Sequence, residues 1–133
     1  MEKLNIFTKH INKQINMATL TPTLTLVSTD GSSDELNFSV TDSLNISKAI
    51  IAPSKIALST GDLTLFAAAS YTKSYVYLKN TDDTINMQIK FGSTANLLLA
   101  AGEFAFLPWD SGSNIVAAAV SGTPYLEYAI FEA

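Results

Sequence analysis

Nucleophilic catalysis is the first chemistry to consider, because it needs a serine, threonine or cysteine within hydrogen-bond reach of a general base, usually histidine. The chain has one histidine, His10, and no cysteine. His10 lies in the N-terminal segment, outside the residues that predict a folded domain. It is therefore better interpreted as a docking contact or an exposed side chain than as a base in an active site. No catalytic residue is predicted.

Carboxylates form two small groups. Asp82 and Asp83 could act as a general acid and base, since like charges held close together raise one pKa. Neighbouring carboxylates in a hairpin loop point apart, however, and are better interpreted as turn residues. Asp30, Asp34 and Glu35 could offer oxygen ligands to calcium, but their spacing lacks the glycine-centred pattern of an EF-hand. The sequence therefore predicts no metal site, no cofactor and no enzyme.

Aromatic side chains are the third group, because exposed rings on a β-sandwich can stack on sugars or anchor a protein interface. Tyr71, Tyr75, Tyr77 and Trp109 have three interpretations: packing in the core, which aromatic residues in alternating strands most often serve, a subunit interface, or a sugar-binding platform. The residues predicted for an interface come from the strands and from an apolar stripe near the N-terminus: Tyr75, Tyr77, Trp109, Tyr125, Phe131, Leu4, Phe7, Ile11 and Ile15.

Most of these aromatic residues fall in residues 75–109, the stretch with the clearest strand pattern. Apolar and polar side chains alternate over 85–91, which is typical of a strand with one buried face. The run 74–79 before it is aromatic and β-branched, and the loop 80–84 is rich in Asn, Asp and Thr. The two runs are predicted to pair as an antiparallel hairpin. Residues 103–109 are predicted to add a third strand, giving a meander.

The N-terminal half of the chain also predicts strands. Leucine and proline alternate with threonine over residues 20–26, which indicates a first strand, and Pro22 places it at a sheet edge. In residues 36–46 the apolar side chains fall at alternate positions. This pattern is compatible with either one bent strand or two strands broken at 41–43.

The C-terminal strand, 125–131, is apolar on both faces. This predicts either a central position in its sheet or a partner on its outer face. Shorter strands are predicted at 63–66 and 115–120, with a weaker signal at 50–58. About eight or nine short strands separated by turns predict an all-β fold, an antiparallel β-sandwich or jelly roll.

Residues 1–16 differ from the predicted domain, which spans residues 17–133 as a single β-sandwich. Four apolar residues of this N-terminal arm, Leu4, Phe7, Ile11 and Ile15, fall at helical spacing, with basic and polar residues between them. Three interpretations stay open: an amphipathic arm that docks on a neighbouring subunit, a solvated extension with little fixed structure, or a segment that does not belong to the domain.

Composition indicates an assembly subunit. Hydrophobic residues are 47% of the chain and charged residues 15%, against a usual ~25% charged, so much of the surface must be uncharged or covered by neighbours. The net charge is −4 and the eight Lys and Arg are scattered, which argues against a nucleic-acid partner. No apolar run reaches the ~18–20 residues that span a bilayer, and no secretion signal is evident. No membrane partner is predicted.

The order of strand motifs resembles a known family. YVYLKNTD, then an alternating strand, then GEFAFLPW, within residues 75–109, are similar to small β-sandwich proteins common among the structural proteins of tailed-phage virions. MATLTPTLTLVSTD and LNFSVTD, within residues 17–42, resemble the start of the same family, so the resemblance covers about residues 17–133. These motifs concern fold and packing, and they imply a virion component, with a trimer as the expected oligomer.

We expect a capsid decoration, or cement, subunit that binds between capsomers and stabilises the phage head. Its partners would be the major capsid protein or other virion subunits, and it would assemble in the host cytoplasm as a homo-oligomer. A head-fibre, tail or connector component, or a carbohydrate-binding module for host glycans, are the alternatives. A glycan binder is expected to expose aromatic side chains on one sheet face, and a cement protein to bury apolar surface against shell subunits.

Overall fold

The structure, a computed structural model, describes residues 17–31, 35–48 and 52–133. These ranges contain twelve strands and one short 3-10 turn, Ala68–Ser70. The strands are β1 (Ala18–Leu20), β2 (Thr23–Ser28), β3 (Leu36–Thr41), β4 (Leu44–Ile46), β5 (Ser54–Ala57), β6 (Leu63–Phe66), β7 (Ser74–Asn80), β8 (Met87–Phe91), β9 (Thr94–Leu99), β10 (Phe104–Trp109), β11 (Ile115–Ala119) and β12 (Tyr125–Glu132). The chain divides into two compact units, Met1–Ala49 and Ile50–Ala133.

The second unit is a jelly roll. Its eight strands form two antiparallel four-stranded sheets, in the orders β10-β7-β12-β5 and β6-β11-β8-β9. The first strand of the unit pairs with the last, the second with the last but one, and so on inward to β8 and β9. Successive pairs alternate between the sheets, as when one long antiparallel ribbon is rolled into two layers. The predicted all-β antiparallel sandwich is confirmed.

The strand count differs from the prediction of eight or nine. The jelly roll alone has eight strands, and the described part of the first unit adds four short ones. The strand predicted over 20–26 is divided in two, and residues 36–46 form two strands, as one of the two predicted alternatives has it, which accounts for part of the difference.

Alternation of buried and outward side chains builds the core between the two sheets. In β7 the residues Ser74, Val76, Leu78 and Asn80 are buried while those between them are half-buried, as the period of two in a strand requires. Burial of apolar surface, worth roughly 25 cal/mol per Å², is the main stabilising contribution. The core cluster draws on both sheets: Leu58, Phe66, Val76, Leu78, Met87, Ile89, Leu99, Trp109, Ile115, Ala117, Ala119 and Leu126.

The predicted meander over residues 74–109 is wrong. β7 lies between β10 and β12 in one sheet, and β8 lies between β11 and β9 in the other. The loop between them crosses from sheet to sheet, and the buried Asn80 side chain fixes this crossing. Its amide donates to the carbonyl of Ile85 (2.8 Å) and to that of Leu99 (3.1 Å). β9, which the sequence analysis does not predict, takes the place beside β8.

The C-terminal strand occupies one of the two positions predicted for it, because β12 lies between β7 and β5. The other alternative, a partner on its outer face, stays a prediction. The predicted short strand over 63–66 is β6, and the weak signal over 50–58 contains β5, which begins after Pro53.

The described part of the first unit contains two separate two-stranded sheets, β1–β4 and β2–β3. The predicted first strand is broken at Pro22, because proline has no N–H to donate to a ladder. The Pro22 carbonyl accepts a hydrogen bond from the amide of Asp42 (3.1 Å). For residues 36–46 the two-strand alternative is observed. The break falls at Asp42 and Ser43, where the Asp42 carboxylate accepts a hydrogen bond from the Ser43 amide (2.7 Å).

The predicted arm, residues 1–16 with His10, lies outside the described residues, and the single domain over 17–133 stays a prediction. In the described ranges, no helix has the length and apolar character needed to cross a membrane.

Candidate functional site

Three neighbouring strands of the jelly roll carry aromatic side chains on the outer surface of their sheet. The register places Phe106 beside Tyr77 across β10 and β7, and Phe131 beside Tyr75 across β12 and β7. Directly paired residues of an antiparallel sheet share a face, and the alternate residues of β7 are the buried ones, so these rings point away from the core. We call this surface the aromatic face and define it as Tyr75, Tyr77, Phe104, Phe106 and Phe131.

The rings of the aromatic face are partly ordered by one another. The rings of Tyr75 and Phe106 are nearly parallel, at 9°, with centroids 6.3 Å apart, and the Lys73 ammonium lies 5.4 Å from the Tyr75 ring centroid. Such contacts each contribute about 0.5–1.5 kcal/mol. Phe104 remains 62% exposed and Phe106 40% exposed. The protein therefore presents a preorganised apolar surface to solvent.

A row of charged residues borders the aromatic face on one side. Lys79 is paired with Phe104 on β10 and with Glu127 on β12, and Glu127 is paired in turn with Lys55 on β5. Apolar centres with polar margins are typical of protein interfaces, in which the margin stays hydrated while the centre is buried. The opposite signs within this row also limit the net charge beside the aromatic face.

Tyr77 and Glu127 link the aromatic face to this charged row. The Tyr77 hydroxyl donates to Glu127 Oε1 at 2.8 Å. Burial raises the pKa of Tyr77 to about 12, and the hydrogen bond to Glu127 and its negative charge add to the rise. A hydroxyl that stays protonated and bonded to its neighbour holds the tyrosine ring in one orientation.

We predict that the substitution Glu127→Gln lowers the pKa of Tyr77 towards the ordinary tyrosine value, ~10, because it removes the charge that disfavours the phenolate. Since the folded protein holds this proton more tightly than the unfolded chain, the stabilisation is complete below pH ~10 and is lost as pH rises towards the folded pKa. Ultraviolet titration, which follows tyrosine ionisation, should show the pKa of Tyr77 to be lower in the variant than in the natural protein. The control Glu103→Gln, in the turn between β9 and β10, should leave the pKa of Tyr77 unchanged. A Tyr77 pKa as high in Glu127→Gln as in the natural protein would contradict the contribution assigned to Glu127.

The predicted interface residues have different locations. Tyr75, Tyr77 and Phe131 lie together in the aromatic face, and Tyr125 is exposed beyond the charged row, paired with Ala57. Trp109 does not lie on this surface. It is 4% exposed because it has the opposite parity on β10, so the core interpretation holds for it. The arm residues Leu4, Phe7, Ile11 and Ile15 lie outside the described residues, and their interface role stays a prediction.

The buried aromatic residues form a second, separate cluster. The Trp109 Nε1 donates to the Ser113 carbonyl at 3.0 Å, which satisfies its one polar group inside the core. Tyr71 packs against Phe66 edge to face, with centroids 5.7 Å apart. Tyr71 and Trp109 therefore serve packing in the jelly roll.

Phe104 and Phe106 belong to the aromatic face but are not among the predicted interface residues. Residues 103–109 were predicted as a strand, and a strand separates 104 and 106 from 107 and 109 by parity. With Trp109 assigned to the core, this alternation would have placed both phenylalanines outside. The parity of the strand is the signal that separates these outward side chains from Trp109, and the interface prediction for Trp109 does not use it.

Of the carboxylates considered for catalysis or metal binding, Asp82 is hydrogen-bonded within its own loop. Asp82 Oδ1 accepts hydrogen bonds from the amides of Thr84 (2.8 Å) and Ile85 (2.7 Å), and these bonds lower the pKa of Asp82. It thus serves the turn, as predicted. Of the residues considered for calcium, Asp34 lies outside the described residues. Across 17–31, 35–48 and 52–133, no three His, Cys, Asp or Glu side chains are grouped as metal ligands would be.

No family model matches the chain, and a search of the curated proteins finds no match.

Proposed function

We propose that this protein is a structural subunit of a tailed-phage virion, a capsid decoration or cement protein that binds between capsomers through its aromatic face. The observation that carries this proposal is the aromatic face itself, an outward apolar surface on the sheet β10-β7-β12-β5 with a charged margin. Binding of this kind works by buried area and needs no convergent catalytic groups.

The size and number of contacts would determine the strength of binding. Specific, stable protein interfaces bury about 1,200–2,000 Å² in total. Exposed aromatic side chains supply much of the binding energy of such interfaces, because each ring buries a large area with few rotatable bonds. On a symmetric shell, copies that associate with one another would also bind with increased avidity.

The assignment to a virion is supported by the family resemblance of the strand motifs and by the jelly-roll topology, which occurs among viral capsid proteins and also among lectins. Because one fold hosts many functions, the topology alone does not separate a decoration protein from a head-fibre, tail or connector component. Those locations remain alternatives within the same proposal.

A carbohydrate-binding module is the second candidate, and exposure of aromatic rings on one sheet face favours it. Sugar recognition needs ring faces and also hydrogen-bonding groups around them. In this surface the Tyr75 ring already contacts Phe106 and Lys73, and the Tyr77 hydroxyl already donates to Glu127. These internal contacts favour an apolar protein partner over a glycan.

The test uses the double variant Phe104→Ser/Phe106→Ser and phage capsids that lack the protein. We expect the natural protein to rebind to these capsids and to protect them against heat and low salt. The double variant should bind at least about tenfold more weakly, which corresponds to about 1.4 kcal/mol, because both rings lose their buried area at the contact.

The matched control is Leu98→Ser/Val120→Ser, which removes two apolar side chains that are each 54% exposed and lie outside the aromatic face. It should rebind like the natural protein. Equal binding by both double variants would remove the aromatic face from the proposal. Failure of the natural protein to bind either capsids or tails would overturn the virion assignment, and binding to host glycans that is lost only in the Phe104→Ser/Phe106→Ser variant would establish the second candidate.

A further inference from the structure

The β2–β3 hairpin of the first unit has one apolar face and one mainly polar face, on which Val27, paired with Asn37, is the one apolar residue. Its register pairs Leu24 with Val40, Leu26 with Phe38 and Ser28 with Leu36, so their side chains share one side of the ribbon. We call this surface the hairpin face and define it as Leu24, Leu26, Leu36, Phe38 and Val40. These five side chains are each 43–49% exposed.

On the opposite side of the hairpin, hydroxyl side chains of the two strands are hydrogen-bonded to each other. Thr23 and Thr41 are hydrogen-bonded through their side chains at 3.0 Å, and Thr25 and Ser39 at 3.2 Å. Such cross-strand pairs stabilise a ribbon by a few tenths of a kcal/mol each and suit a surface in contact with water. The polar side is therefore the solvent side, and the apolar side is the one that needs cover.

A two-stranded ribbon is at best marginally stable by itself in water. Every residue of β2 and β3 except Ser28 is exposed, so the described chain leaves this hairpin without the burial that normally stabilises a sheet. An apolar layer packed on the hairpin face, at the usual sheet-to-sheet spacing of about 10 Å, would supply that burial.

The charge of the hairpin face indicates which partner could supply this apolar layer. The hairpin face contains no ionisable side chain, so two copies can meet there without like-charge contact, although the chain as a whole carries a net charge of −4. An anionic lipid surface would attract flanking lysines or arginines, and Lys48 is the one basic residue in residues 17–48. A two-fold interface brings the same patch of both subunits together, and the absence of charge on the hairpin face means that such a contact buries no like charges.

We propose that the hairpin face packs against the hairpin face of a second copy of this chain, forming a two-layered β-sandwich that joins the two copies in a dimer. The two ribbons bury their leucine, valine and phenylalanine side chains between them and leave their threonine sides in water. The proposal concerns a different surface from the aromatic face and does not depend on the virion assignment.

The test is sedimentation equilibrium of the whole protein over a wide range of concentration. The natural protein should increase in mass to at least a dimer. The substitution Phe38→Glu, at the centre of the hairpin face, should raise the dissociation constant of self-association at least about tenfold, because a carboxylate would have to be buried in an apolar layer.

The matched control is Asn37→Glu, which introduces a negative charge on the same strand but on the opposite side of the ribbon. It should leave the dissociation constant within about twofold, since its carboxylate stays in water. Trp109, the one tryptophan, lies in the core of the second unit, so its fluorescence checks that each variant keeps the jelly roll folded.

A mixing experiment separates packing between copies from a general effect of charge. Phe38→Glu and Phe38→Lys proteins should each associate weakly, whereas their equimolar mixture should recover association, because opposite charges then meet at the centre of the interface. A natural protein that stays monomeric, equal loss in Asn37→Glu, or a folded mixture that fails to recover association would each overturn the proposal. The Phe104→Ser/Phe106→Ser variant should keep full self-association, so failure here is distinguishable from failure of the proposed function.

Discussion

Replacing Leu78 by alanine is expected to lower the free energy of unfolding by about 2–5 kcal/mol. Leu78 is fully buried on β7, which is flanked by β10 and β12, and its side chain belongs to the core shared by the two sheets. The substitution removes apolar contacts and leaves a cavity that strands hydrogen-bonded on both sides cannot easily close. Because natural domains are stable by only about 5–15 kcal/mol, the loss is a large fraction of the total.

The matched control is Leu98→Ala, the same chemical change at a side chain that is 54% exposed on β9. It should change the free energy of unfolding by less than about 1 kcal/mol. Both proteins can be measured by urea unfolding followed through the fluorescence of Trp109, which reports on the jelly-roll core. A loss of equal size in both variants would mean that Leu78 does not lie in a tightly packed interior.

The buried and outward sides of individual strands were predictable from the sequence, because side-chain direction depends only on local backbone geometry. Residues 85–91 show this. Met87 and Ile89 are fully buried and Gln88 is exposed, as the alternation predicts. The apolar residues on both faces of β12 indicate either a central strand or a partner on the outer face, and the structure shows the central position.

Strand partners were not predictable in the same way. The loop after β7 has the composition of a hairpin turn, rich in Asn, Asp and Thr, but it connects two sheets. Composition of a loop records the backbone conformations that it tolerates, and both a hairpin turn and a corner between sheets use the same residues. The pairing of β7 with β10 and β12 depends on contacts distant in sequence, which no local pattern contains.

The aromatic face could be predicted only in part, because strand pairing, which no local pattern contains, brings its residues together. Tyr75, Tyr77 and Phe131 were expected at an interface, and the jelly roll brings them to one face with Phe104 and Phe106. That these rings come from strands β7, β10 and β12, far apart in the chain, follows only from the strand order. Trp109 was grouped with them on residue type alone, whereas its parity on β10 places it in the core.

Asn80 is expected to be the most sensitive polar residue of the jelly roll. Its side chain is fully buried where the chain crosses between sheets, and its amide donates to the carbonyls of Ile85 and Leu99. Its Oδ1 accepts from the amide of Asp82 at 3.0 Å. We predict that Asn80→Asp, which keeps the shape of the side chain, lowers the free energy of unfolding by about 3–5 kcal/mol at neutral pH, the usual cost of an uncompensated buried charge. Both donors are lost, and a carboxylate would face two carbonyl oxygens.

The pH dependence of this loss identifies its cause. Burial and the facing carbonyls should raise the pKa of the introduced carboxyl in the folded protein above its unfolded value, ~3.9. The folded state then binds a proton more tightly than the unfolded chain. The deficit relative to the natural protein should therefore be largest above the folded pKa and shrink as pH falls towards the unfolded value.

Asn114→Asp is the matched control for the Asn80 prediction, because Asn114 is exposed and its Oδ1 accepts a hydrogen bond from the amide of Ala68 (2.9 Å). A carboxylate can accept that bond equally well, so this variant should stay within about 0.5 kcal/mol of the natural protein. Urea unfolding of both variants across the acidic and neutral range makes the comparison. A deficit in Asn80→Asp that is small, or that does not change with pH, would mean that the corner between the sheets does not depend on the two donated hydrogen bonds. The crossing that replaces the predicted hairpin would then need another stabilising contact.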